Sequence, residues 1–132
     1  MKAIDTNIVI RFLTGDDELQ AQKVYSIFKN AESEKKMLFV PLLVILETIW
    51  VLDSVYEISR TEILESISEL LLMPIFKFGQ HSALQQLVHS AQGNKYDLSD
   101  LLIAQSAKIN GCESVLTFDK KVSKFKLFEL IN

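Results

Sequence analysis

Lys2-Ala3-Ile4-Asp5-Thr6-Asn7-Ile8-Val9-Ile10-Arg11-Phe12-Leu13-Thr14-Gly15 opens the chain with a short strand-like run, a lone acid, and an apolar segment that Thr14-Gly15 breaks. Lys2 to Ile4 predicts a short buried strand ending at Asp5, and Ile8 to Leu13 predicts a helical turn or two. Asp16 or Asp17 can then cap a helix whose face is Val24, Ile27, Phe28 and Ala31, at helical spacing.

Met37 to Val40 predicts a second buried strand, with Pro41 in the first turn of a helix running to about Val55. Ser59 and Glu62 form a capping box for a helix over Ile63 to Leu72, closed by Pro74. Ile75 to Phe78 reads as a short strand, and Ser82 to Ala91 as a helix ending near Gly93. A helix is expected from Leu98 to Ile109, with Asp97 or Ser99 as N-cap and Gly111 as its stop. Ser114 to Phe118 is a strand followed by an acidic turn at Asp119, and Lys126 to Ile131 can supply one edge strand. Strands alternating with helices, and no β-hairpin signal, imply an α/β fold with a parallel sheet covered by helices. A length of 132 residues suits one domain.

Composition excludes more than it selects. The chain carries 14 basic and 17 acidic residues, so no strongly basic field advertises nucleic acid. The single cysteine, Cys112, excludes an internal disulfide and a thiolate zinc cluster, and fits a reducing cytoplasm. Asp5 falls where the apolar core of a signal peptide would begin. Met37 to Leu52 is too short for a membrane span and contains Pro41 and Glu47. His81 and His89 lie eight residues apart on one expected helix, about 12 Å of rise, too far to share one metal.

The candidate site is acidic. Asp5, Glu47, Asp100 and Asp119 each lie within or beside an apolar stretch, far apart in sequence and without matched basic partners. Acidic side chains are seldom buried unless something pairs with them, so a cation is the expected partner. In parallel α/β sheets functional residues gather at the carboxyl ends of strands. Asp5 and Asp119 follow expected strands, Asp100 opens a helix, and Glu47 lies about two turns into another. Two such charges about 4 Å apart repel by roughly 4 kcal/mol at an effective dielectric of 20. Hard oxygen ligands select Mg²⁺ or Mn²⁺, whose waters can attack phosphorus, so the chemistry best suited is metal-assisted phosphodiester hydrolysis. Local roles compete: a turn for Asp5, a helix-dipole partner for Asp100, a cap for Asp119, and an N-cap or a peripheral ligand for Asp97.

These acids stand in a familiar order. Asp5-Thr6-Asn7 after a short strand, Glu47 in Leu46-Glu47-Thr48-Ile49-Trp50, Asp97-Leu98-Ser99-Asp100-Leu101-Leu102 and Thr117-Phe118-Asp119 together resemble the PIN-domain family, especially VapC-type toxins. The resemblance spans nearly the whole chain. It departs at Ser99 and Leu102, where many relatives carry a small apolar residue and alanine. It implies a three-layer α/β/α fold with a central parallel sheet and a Mg²⁺- or Mn²⁺-dependent endoribonuclease acting on RNA. It also implies a homodimer and a cognate antitoxin as protein partner. Asp5, Glu47, Asp100 and Asp119 would hold metal and activate water, Asp97 would contribute less, and Thr6, Asn7 and Thr117 would orient the carboxylates. The alternative is a PIN-like binding module without activity. A haloacid-dehalogenase-like phosphatase would want an aspartate where this chain has Asn7.

Cations near the acids in sequence, Arg11, Lys95, Lys120, Lys121 and Lys124, are candidates for phosphate contacts, although solvated lysines are common. Arg11 follows the first acid closely and could contact RNA or antitoxin, or pair with this chain's own acids. The apolar stripes over Ile63 to Leu72 and Leu84 to Val88 could serve an interface or simply be core.

Overall fold

In the computed structural model, which describes Met1–Asn132, helices alternate with strands, and every strand pairing is parallel. The residues cluster into two units, Met1–Gly79 and Gln80–Asn132.

The first unit contains β1 (Lys2–Ala3), α1 (Thr6–Thr14), α2 (Glu18–Ser33), β2 (Leu38–Val40), α3 (Leu42–Ser54), α4 (Arg60–Leu71) and β3 (Phe76–Phe78). Its sheet has the order β1-β2-β3, with Ala3 opposite Phe39 and Val40 opposite Phe78. Local chemistry sets the boundaries. Asp5 Oδ1 accepts from the Ile8 N–H at 3.2 Å and starts α1, while Gly15 ends it in the left-handed region, φ 63°. Asp17 caps α2, accepting from the Gln20 N–H at 3.0 Å. Ser59 Oγ accepts from the Glu62 N–H at 3.2 Å, one half of the expected capping box. Pro41 is itself the N-cap of α3, one position earlier than its place in the expected first turn. After β3, Gly79 lets two segments close up, since a Cβ there would lie 3.2 Å from the Leu42 nitrogen.

Val9, Ile10, Val24, Phe28, Ile45, Ile49, Leu52, Ile63 and Ile67 are buried core. Fully burying such a side chain contributes about 1.5–3 kcal/mol. Phe12, Phe28, Phe76 and Phe78 continue the core as a chain of ring contacts, with centroids 4.9, 5.1 and 5.8 Å apart. Ile27, placed with the inner face of α2 by spacing, is instead 46% exposed at the edge of that stripe.

The second unit contains α5 (His81–Ser90), α6 (Leu98–Ile109), β4 (Val115–Thr117), a single 3-10 turn (Val122–Lys124) and β5 (Phe128–Leu130). α5 and α6 pack together, burying Ala83, Leu84, Leu87, Leu98, Leu101, Leu102 and Ala104. β4 and β5 pair with Val115 opposite Phe128 and Thr117 opposite Leu130, so the tail strand is present as expected. Of the stripes considered for an interface, Ile63, Leu64, Ile67 and Leu70 of α4 and Leu84 and Leu87 of α5 are buried core, whereas Leu72 is 81% exposed. No helix is long and apolar enough to cross a membrane.

Candidate active site

Each candidate acid is positioned by the end or the outer face of an element. In the first unit Asp5 caps α1 and is exposed. Thr6 beside it is buried and Asn7 is exposed. Glu47 projects from the side of α3 opposite Ile45, Thr48, Ile49 and Leu52, which are buried. At 100° per residue, Leu43 and Trp50, 76% and 59% exposed, flank Glu47 on one side, and half-buried Val44 and Val51 flank it on the other. The apolar residues around Glu47 in sequence therefore do not enclose it.

In the second unit three acids come together. Asp97 caps α6, its Oδ1 accepting from the Asp100 N–H at 3.1 Å. Asp100 projects from the first turn of that helix and is half-buried. Asp119 follows β4: its N–H donates to Thr117 Oγ1 at 3.0 Å, and its Oδ1 accepts from the Lys121 and Val122 N–H groups at 2.9 and 3.3 Å. Asp119 thus closes the turn that leads into the 3-10 segment, whose own N-cap is Lys121, close to the capping role anticipated for it. Asp97, Asp100 and Asp119 line one open cleft of about 700 Å³, with Tyr96 and Lys121 also on its wall. Burial, and after it the like charges of Asp97 and Asp119, raise the Asp100 carboxyl above its ordinary pKa.

Full burial of the acids, the starting point of the sequence argument, does not occur. Asp5, Glu47, Asp97 and Asp119 are exposed and Asp100 is half-exposed, because caps and outward helix positions keep carboxylates wet inside apolar sequence. The mutual repulsion at Asp100 remains.

The donor set matches a hard divalent cation in kind. The cleft offers carboxylate oxygens and no thiolate or imidazole, and burial and then neighbouring negative charge raise the pKa of Asp100 within it. No three His, Cys, Asp or Glu side chains form a group that could by itself hold a metal ion. Water is the complement such a cation brings, since Mg²⁺ keeps several waters beside one or two carboxylates.

Arg11 is engaged within the first unit. Its guanidinium donates to Gln20 Oε1 at 2.7 Å, to Asp16 Oδ1 at 3.2 Å and to the Tyr56 hydroxyl at 3.3 Å, and the Tyr56 hydroxyl donates to Asp16 Oδ2 at 2.7 Å. Of its anticipated roles, pairing with the chain's own acid is the one present. The Tyr56 hydrogen bond, then that of Thr14, with Arg11 nearby, lower the Asp16 pKa.

A family model described as PIN domain matches residues 2–127, across both units. The chain belongs to the PIN-domain family. Among curated proteins, this PIN domain is similar to the VapC ribonuclease of Aquifex aeolicus (strain VF5), at 25% identity over 132 residues. That alignment covers 100% of this chain and 96% of the relative. Sequence reasoning had not singled out Asn94 or Tyr96 as cleft residues, although both lie within three residues of Asp97. It also passed over Gln105, a buried side chain on α6 whose Oε1 has no hydrogen-bond partner. An alternation pattern carries no sign of such a residue.

Proposed function

We propose that this chain, as one PIN-like domain, is an endoribonuclease that hydrolyses RNA phosphodiester bonds and is the toxin of a type II toxin–antitoxin pair. The observation that carries the reading is the meeting of Asp97, Asp100 and Asp119 at one cleft in a PIN-family chain. The full-length similarity to a protein named VapC ribonuclease supports it. Asp5, Glu47, Asp100 and Asp119 are the residues we assign to Mg²⁺ or Mn²⁺, with Asp97 contributing less. Bound there, the ion would supply the positive charge that polarises a phosphodiester and lowers the pKa of a water.

The chain's own groups do the positioning. Asp97 holds the first turn of α6, from which Asp100 projects, through its bond to the Asp100 N–H. Thr117 holds the backbone of Asp119 through its hydroxyl. We assign Thr6 and Asn7, next to Asp5, the corresponding orienting role in the first unit. On this reading the protein is cytoplasmic, acts as a homodimer and is inhibited by a cognate antitoxin.

The test is cleavage of a labelled mixed RNA pool in Mg²⁺, Mn²⁺ or EDTA, comparing wild type with Asp5→Asn. Cleavage that needs metal and is lost in the variant is expected. A folded, antitoxin-free wild type that cuts nothing in either metal would instead favour an inactive binding module.

A further inference from the structure

The cleft that gathers the acids also gathers cations. Lys95, Lys121 and Lys124 line it together with Tyr96, whereas Lys120 and Lys126, equally close in sequence, do not. The 3-10 turn explains the division. With three residues per turn, Lys121 and Lys124 fall on the same side, and buried Val122 pins the turn from beneath. Asp119 fixes the same turn by accepting the Lys121 and Val122 N–H groups, so one acid of the cleft sets the position of its lysines.

We infer that Lys95, Lys121 and Lys124 hold backbone phosphates of single-stranded RNA and that Tyr96 stacks one of its bases. The inference rests on the ribonuclease reading and names how its substrate is gripped. Charge supports it. The second unit has six lysines, no arginine and five acids, and three of those acids are in the cleft. Of the remaining acids, Glu129 accepts from the Ser114 hydroxyl at 3.0 Å on the β-strand pair. A polyanion threaded along the cleft would meet cations beside the acids that serve its scissile phosphate.

Single strands are favoured by Tyr96. Its ring leans on Phe125, centroids 5.3 Å apart and planes at 60°, which fixes the ring's attitude on the cleft wall. A base can use such a platform only when it is unstacked from its neighbours, as in a loop or single strand.

The test is binding of a labelled single-stranded oligoribonucleotide in EDTA, so that nothing is cut, over a series of salt concentrations. Two double variants that remove equal charge are compared, Lys121→Ala/Lys124→Ala and Lys120→Ala/Lys126→Ala. Two lost phosphate contacts should shrink the slope of log affinity against log salt by about 1.4 in the first, at about 0.7 each for a single strand. The second should keep the wild-type slope. Tyr96→Ala should weaken binding roughly tenfold, with Tyr96→Phe close to wild type. Equal slopes in the two double variants, or no binding by folded wild type, would overturn the inference. Wild type that binds as described yet cuts no RNA with metal would overturn the ribonuclease reading alone. Cleavage with an unchanged KM in Lys121→Ala/Lys124→Ala would overturn the phosphate grip alone.

Discussion

The two units handle negative charge in opposite ways. Around Asp16 in the first, a guanidinium, a phenol and a threonine hydroxyl converge on one carboxylate and stabilise its charged form. Around Asp100 in the second, burial and after it two neighbouring carboxylates disfavour the charged form. The first arrangement ties α1 to the end of α3 and serves the fold. The second costs folding free energy at neutral pH, where Asp100 ionises against burial and like charge.

The contrast yields expectations of decreasing size. Leu84 has no exposed surface, so Leu84→Ala should cost about 2–5 kcal/mol in a denaturant titration. Because Leu84 anchors the packing of α5 on α6, RNA cleavage should fall in step with the folded fraction. Retained stability there would mean that the second unit owes little to its helix pair.

Asp100→Asn should lower cleavage by about a hundredfold or more, as for loss of a group acting on the reacting charge, with the fold intact. The same variant should melt at a higher temperature than wild type near neutral pH in EDTA. The sign follows from linkage. A carboxyl whose pKa is raised on folding holds its proton where the unfolded chain has lost it. Stability therefore falls as pH rises from the ordinary value of 3.8 through the raised one, and the penalty persists above it. Asparagine removes that penalty. A variant less stable than wild type in EDTA would contradict the repulsion.

Asp16 gives the opposite sign. Its folded pKa is lowered, so its contribution is complete above the unfolded value, 3.8, and is lost as pH falls through the folded one. Tyr56→Phe removes the largest cause of that shift. It should lower the melting temperature at pH 7 and make little difference near pH 2, by thermal melts at both. The smallest effect is expected at a helix end: Asp17→Ala removes the cap of α2 and should cost about 1 kcal/mol by chemical denaturation.

What the sequence disclosed was local chemistry. Asp17, Ser59 and Asp97 are the observed caps, although the helix after Ser59 starts at Arg60, three residues before the expected Ile63, and the stripe of Val24, Phe28 and Ala31 lies inside as the spacing requires. Parallel pairing followed from the alternation of elements. What was not legible depends on direction rather than identity. Glu47 is surrounded by apolar residues in sequence, yet helical geometry turns it outward with Leu43 and Trp50. Arg11 could be placed near the first acid but not assigned to Asp16, because Tyr56, 40 residues further on, completes that network. Lys120 and Lys121 are indistinguishable as letters; the turn at Val122–Lys124 puts Lys121 and not Lys120 on the cleft wall.

The measurement that bears most directly on the charge imbalance in the second unit is a pair of melting curves, wild type and Asp100→Asn, each in EDTA and in Mn²⁺. The expected result is that Mn²⁺ raises the melting temperature of wild type and leaves Asp100→Asn nearly unmoved, closing the gap that EDTA reveals. Equal response of the two proteins to Mn²⁺, or none in wild type, would contradict a cation site built on Asp100.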